Sequence, residues 1–157
     1  MNPTPEKTSV MAPFILMLFL YFIVGLFTVI NQQFQVPLKS ALLPHDGNMT
    51  NALVTLLNFS WFLAYPFSEG FATRWVDRLG YRKTSVYSLL IFIVGLGFYE
   101  AAVLLHIYAP SYITIMGNPI FTGFFVFLSG SFVIGMAVTI LQVVTGLYLD
   151  VNPVGKT

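Results

Sequence analysis

Between Lys7 and Lys39 the chain carries no formal charge, and the stretch from Ala12 to Ile30, APFILMLFLYFIVGLFTVI, is apolar apart from Thr28. Such a run can be hidden in a large core or placed in lipid. As a helix rising about 1.5 Å per residue it is long enough to cross a hydrocarbon layer of about 30 Å, where each backbone N–H and C=O must be satisfied inside the segment. A cleaved signal peptide would have an apolar region of only about 7–15 residues ending at small residues of the A-x-A kind, which this run lacks. Composition decides between core and lipid. Of the 157 residues 57% are hydrophobic, 17% aromatic and 8% charged, whereas a soluble domain devotes roughly a quarter to charge. A mean hydropathy of +0.81 leaves more apolar surface than one core of this size can cover. Membrane lipid is therefore an expected partner. A net charge of +1 creates no field to gather nucleic acid, so none is expected. The absence of cysteine excludes disulfides and thiolate metal sites, and no cofactor is expected.

The expected organisation is all-α and membrane-integral, with four spans. A tail over 1–11 leads to a first span over 12–38. An outer loop over 39–50 holds the helix interrupters Pro44, Asp46, Gly47 and Asn48. A second span follows over 51–73, and a basic loop over 74–83 contains Arg74, Arg78, Arg82 and Lys83. The third span occupies 84–108 and an outer loop 109–119, where Pro110, Gly117 and Pro119 stop the helix. A fourth span over 120–149 ends in a polar tail over 150–157. Lysine and arginine are retained on the cytoplasmic side of short loops, which places 74–83 and both termini inside a cell membrane, with a bacterial inner membrane expected. Lys39 alone lies on the outer side.

The loop reads Thr73-Arg-Trp-Val-Asp77-Arg78-Leu-Gly80-Tyr-Arg82-Lys83. Asp-Arg-x-Gly-x-Arg-Lys between two apolar helices resembles the signature of the major facilitator superfamily, found between its second and third helices. Asp77, Arg78, Gly80, Arg82 and Lys83 are its candidate conformational residues. An aspartate at a helix end, arginines one turn away and a glycine that lets the chain reverse can clamp neighbouring helix ends in one state and release them in another. Thr73 stands where the family usually has glycine. The bland alternative is a basic loop that only sets topology. A narrower likeness involves NQQFQVPLKSALL, Asn31 to Leu43, which resembles the first helix of the fucose permease branch of proton-coupled sugar importers. The segment Leu141-Gln142-Val-Val-Thr145-Gly146-Leu-Tyr148 is similar to that branch's Leu-Glu-x-x-x-Asn-Pro-Tyr element. Here Gln142 replaces the glutamate and Gly146-Leu147 replaces Asn-Pro. In the family that glutamate and an acid in helix one are implicated in proton coupling. Neither acid is present, so proton coupling does not carry over directly.

Read without the family, Asn31, Gln35 and Lys39 recur every four residues and share a helical face. Amides within a membrane need a partner or a watery cavity, and Asn and Gln match the donor and acceptor roles of sugar hydroxyls. With Gln32, Gln142 and Thr145 they form the candidate substrate contacts; helix-to-helix hydrogen bonding is the other reading. Lys39 can equally snorkel to the headgroups. Glu100 lies about 24 Å along the third span from Thr84, near its outer end, which favours an interfacial carboxylate over a proton-coupling site. Glu69 is expected in the inner charge cluster and His106 at the outer interface, while Asn58 and Ser60 are expected in helix packing. No nucleophile, base and orienting acid come together, so an enzyme is not expected. Gly95, Gly97, Gly117, Gly123 and Gly130 read as packing points, since no Gly-Lys-Ser/Thr follows any of them.

The resemblance implies the first part of a six-helix half-bundle, one three-helix repeat plus one helix, in a transporter whose substrate sits between halves. Its function is then proton- or cation-coupled import of a small-molecule substrate, a fucose-, glucose- or galactose-like monosaccharide, by alternating access. Further C-terminal helices, from a separate chain where the gene is split, are the implied partner. The competing expectation is a complete four-helix membrane protein, either a dimeric exporter or a non-transporting subunit.

Overall fold

A computed structural model describes residues 11–33, 35–43, 48–115 and 117–151. Long apolar runs rich in Leu, Phe and Ile dominate it as helices, since a helix satisfies its own backbone polar groups. Three of these helices are long and apolar enough to cross a membrane. Helix α1 spans Met11–Gln33 and α2 spans Gln35–Leu42. Phe34, between them, lies outside the described residues, and helix is described on both sides of it within the span expected over 12–38. The Ser40 hydroxyl donates to the Pro37 carbonyl at 2.8 Å. The helix runs to Leu42, and the next starts at Asn48, so helix occupies part of the segment expected as loop over 39–50.

Helix α3, Asn48–Tyr108, contains 61 residues and one non-helical residue, Gly80, at φ 78° and ψ 166°. An L side chain rarely adopts that φ, and glycine does so without steric penalty. Gly80 divides α3 into a first arm, 48–79, and a second, 81–108. The arms fold back along one another: Trp75 and Tyr87 meet edge-on across the turn at 6.2 Å, and Leu57 and Ala102 share a buried cluster at the opposite end. Helix therefore continues through most of 74–83, where the sequence suggests a loop; the reversal needs only Gly80. Beyond Tyr108, β1 (Tyr112–Ile115) and β2 (Asn118–Phe121) pair antiparallel with Tyr112 opposite Phe121. The β-branched alternation of Tyr-Ile-Thr-Ile suits a strand, and Gly117 at φ 81° allows the tight reversal. This hairpin stands in the segment expected as loop over 109–119. The Thr122 N–H donates to the Ser111 carbonyl at 2.9 Å and closes its base.

Helix α4, Thr122–Val151, packs against both arms of α3 and against α1. Small residues set the approach. A methyl group added at Gly135 would lie 2.7 Å from the Trp61 carbonyl oxygen, and one added at Gly130 would lie 2.9 Å from the Phe98 Cβ. Three apolar clusters stack along the bundle. At the hairpin end Leu57, Ala102, Phe121 and Phe124 are buried together. In the middle lie Val24, Trp61, Ile134 and Val138. At the Gly80 end lie Ala72, Val76, Ile140 and Val144. Polar links tie the helices as well: the Ser60 hydroxyl donates to the Leu128 carbonyl at 3.0 Å, and the Tyr99 and Ser131 hydroxyls lie 2.9 Å apart.

Candidate functional site

The helices flank an open pocket of about 560 Å³, within the size range of small-molecule sites. Each wall comes from a short face pattern. On α1, Phe27, Ile30 and Asn31 follow the three-and-four spacing of one helical face, and Leu38 of α2 joins them. On the second arm of α3, Phe92, Leu96, Tyr99, Glu100 and Val103 continue that spacing over three turns. Trp61 from the first arm and Phe127 and Ile134 from α4 complete the lining. Tyr99 stacks face to face on Phe127, ring centroids 3.9 Å apart and planes within 1°. That stack is held from behind by the hydrogen bond of the Tyr99 hydroxyl with Ser131.

Two buried polar atoms on the first arm of α3, the indole Nε1 of Trp61 and the Oδ1 of Asn58, have no partner among the described residues. Trp61 itself is only 2% exposed. Orphaned buried polar atoms are costly. Ser60, expected in helix packing, donates to α4. Asn58 has its amide oxygen buried with no partner.

Of the candidate substrate residues, Asn31 lines the chamber, half-buried. Gln32 is exposed at the end of α1. Gln35 belongs to α2, and its side chain lies outside the described residues. Lys39, half-buried in α2, has a bonding partner of its own. Gln142 is half-buried near the Gly80 end of α4. Thr145 is fully buried, and its hydroxyl donates to the Leu141 and Gln142 carbonyls of its own helix at 2.8 and 3.1 Å. A hydroxyl engaged in this way braces the helix. Glu100, for which an interfacial position is the favoured expectation, lines the chamber beside Tyr99.

The second cluster is the turn. Asp77, Arg78, Arg82 and Lys83 are exposed around Gly80, and space beside the Gly80 Cα is open. The Thr84 hydroxyl donates to the Gly80 carbonyl at 2.9 Å and the Ser85 hydroxyl to that of Tyr81 at 2.9 Å, so the helix after the turn starts with its early carbonyls engaged. Tyr81 reaches Tyr148 of α4 edge-on at 5.5 Å. Tyr and Trp side chains gathered beside charged residues are typical of a membrane–water boundary. Among the described residues no group of three His, Asp or Glu is placed to hold a metal ion.

The aromatic character of the chamber has no counterpart in the candidate residues taken from the sequence. Its signal was present as the 92, 96, 99, 100, 103 spacing; which face that spacing turns toward is a tertiary fact. Compared with known proteins, the sequence matches no family model and no curated protein, and the fold matches no solved structure.

Proposed function

We propose that this chain forms a transmembrane bundle of a secondary active transporter built on the major facilitator plan. In this proposal α1, the two arms of α3 and α4 each cross the bilayer, giving four passages, and the Gly80 turn faces the cytoplasm. The observation that carries it is the turn itself. A left-handed glycine reverses the chain between two apolar arms, with Asp77, Arg78, Arg82 and Lys83 exposed around it in the order Asp-Arg-x-Gly-x-Arg-Lys. Basic residues concentrated at one end of a bundle hold that end inside. Aromatic residues Trp75, Tyr81, Tyr87 and Tyr148 at the same level suit a headgroup boundary.

Alternating access requires that a site between helices open first to one side and then to the other. The chamber is the candidate for one wall of that site, with a second helical bundle supplying the opposite wall. A monosaccharide, the solute implied by the resemblance, would meet the Asn31 amide and the Glu100 carboxylate on otherwise mostly apolar walls. Transport of a small organic solute is thus the function proposed, with its class set by those walls.

The natural chain lacks cysteine, which makes a sidedness test direct. Single cysteines at Lys83 and at Ser111 are probed with a membrane-impermeant maleimide in intact cells and in inverted vesicles. Ser111→Cys is expected to react in cells and Lys83→Cys in inverted vesicles. Labelling of both from the same side removes the crossing of the second arm and with it this reading.

A further inference from the structure

Among the described residues, the chamber lining combines one carboxylate with five aromatic rings and no lysine, arginine or histidine. The rings are Phe27, Trp61, Phe92, Tyr99 and Phe127, and the carboxylate is Glu100. We infer that the chamber takes an amphipathic organic cation, an ammonium or phosphonium centre carried on apolar groups, with Glu100 as its counter-ion. This inference rests on the transporter reading, since it treats the chamber as the substrate site.

Other solute classes fit these walls less well. A sugar presents many hydroxyls, each seeking a donor and an acceptor. Here the Tyr99 hydroxyl is already bonded to Ser131 at 2.9 Å, which leaves the Asn31 amide and the Glu100 carboxylate as the polar functions at the lining among the described residues. An anion would meet the carboxylate and the negative faces of the rings, both repulsive. A neutral lipid chain would match the apolar surface and offer Glu100 no opposite charge. A lipophilic cation answers each feature at once. Its charge neutralises Glu100, its apolar groups cover Leu96, Val103 and Ile134, and its positive centre is attracted to aromatic faces. The Tyr99–Phe127 stack matters because it fixes two of those rings face to face against each other, pre-organised before a ligand arrives.

The test uses the full chain in detergent carrying Trp75→Phe. Two tryptophans are present, so this leaves Trp61, in the chamber wall, as the reporter. Its fluorescence is followed while tetraphenylphosphonium is added, and in parallel while tetraphenylborate, of the same shape and opposite charge, is added. The expected result is a saturable change with the phosphonium ion and binding at least about tenfold weaker for the borate. Glu100→Gln should weaken phosphonium binding about tenfold, the effect of roughly 1.4 kcal/mol, and Glu100→Asp should recover most of it. Because Glu100 is exposed and makes no part of the buried core, neither variant is expected to unfold the bundle, and circular dichroism checks this. Equal binding of the two ions, unchanged affinity in Glu100→Gln, or no saturation with the phosphonium ion would overturn the inference. Sidedness labelling of Lys83→Cys and Ser111→Cys, scored separately, keeps the two ideas apart. Glu100-dependent phosphonium binding with both cysteines labelled from the same side leaves the site standing and removes the transporter reading. Labelling from opposite sides together with absent phosphonium binding removes the site assignment and keeps the transporter reading.

Discussion

Helices α1 and α4 are both long and apolar enough to cross a membrane, yet 11% of the best apolar window of α1 is buried inside the protein against 56% of that of α4. The difference lies in side-chain size. Helix α1 presents Ile15, Leu16, Phe19, Phe22 and Val29 away from the protein, and only Met17 and Val24 are buried. Helix α4 interleaves Gly123, Gly130, Ser131, Gly135, Ala137 and Thr139, all buried, with larger residues. In lipid the hydrophobic effect does not favour one apolar helix contacting another, because the tails are as apolar as leucine. Close packing and interhelical hydrogen bonds decide instead, and small residues allow both. Apolarity therefore selects the medium, and small-residue spacing selects the neighbours.

The largest test of that contrast is a matched pair of glycine substitutions. Gly135→Leu forces a side chain against the Trp61 backbone and the Ala64 methyl, where an added Cβ already falls at 2.7 and 2.9 Å. It is expected to destabilise the bundle by about 3 kcal/mol or more, or to prevent assembly. Gly25→Leu in α1 meets nothing within 4 Å and should stay within about 0.5 kcal/mol of the parent. Equal thermal stability of the two detergent-solubilised variants would break the comparison.

Next in size is the turn that lets both arms of α3 flank α4. Gly80→Val and Gly80→Asn each place a side chain at φ 78° and ψ 166°, a region essentially restricted to glycine, with an expected cost of about 1–3 kcal/mol for either. Melting temperatures of both variants below that of the parent check it. Smaller again is the Tyr99–Ser131 hydrogen bond. Ser131→Ala and Tyr99→Phe, combined in a double-mutant cycle, should give a coupling of about 0.6 kcal/mol, typical of polar contacts between membrane helices. A coupling of zero would mean that packing alone seats α4 there. Last, Phe22→Leu changes a side chain that is 65% exposed to the surroundings of the bundle. It should leave stability within about 0.5 kcal/mol, as a lipid-facing exchange of one apolar residue for another.

Much of the fold was legible because the membrane imposes simple rules. Uncharged runs longer than about 18 residues, glycine and proline at their ends, and a cluster of arginines and lysines at one turn are one-dimensional features. One local departure has a local cause: Gly80 alone reverses the chain, so most of 74–83 stays helical. The hairpin over Tyr112–Phe121 is a short β-branched segment whose pairing depends on its partner strand being close.

By itself the sequence determined the length and apolarity of the helices, the helical class and the charged glycine turn, since each follows from residues adjacent in the chain. Tertiary structure decided which faces meet. It withdrew Thr145 into its own helix, brought Asn31 opposite Glu100 across a chamber, and gathered Phe27, Trp61, Phe92 and Phe127 from separate segments into one wall. The physical reason is that all four faces of an apolar helix look alike to lipid, so only the fit between particular side chains of distant segments can choose among them.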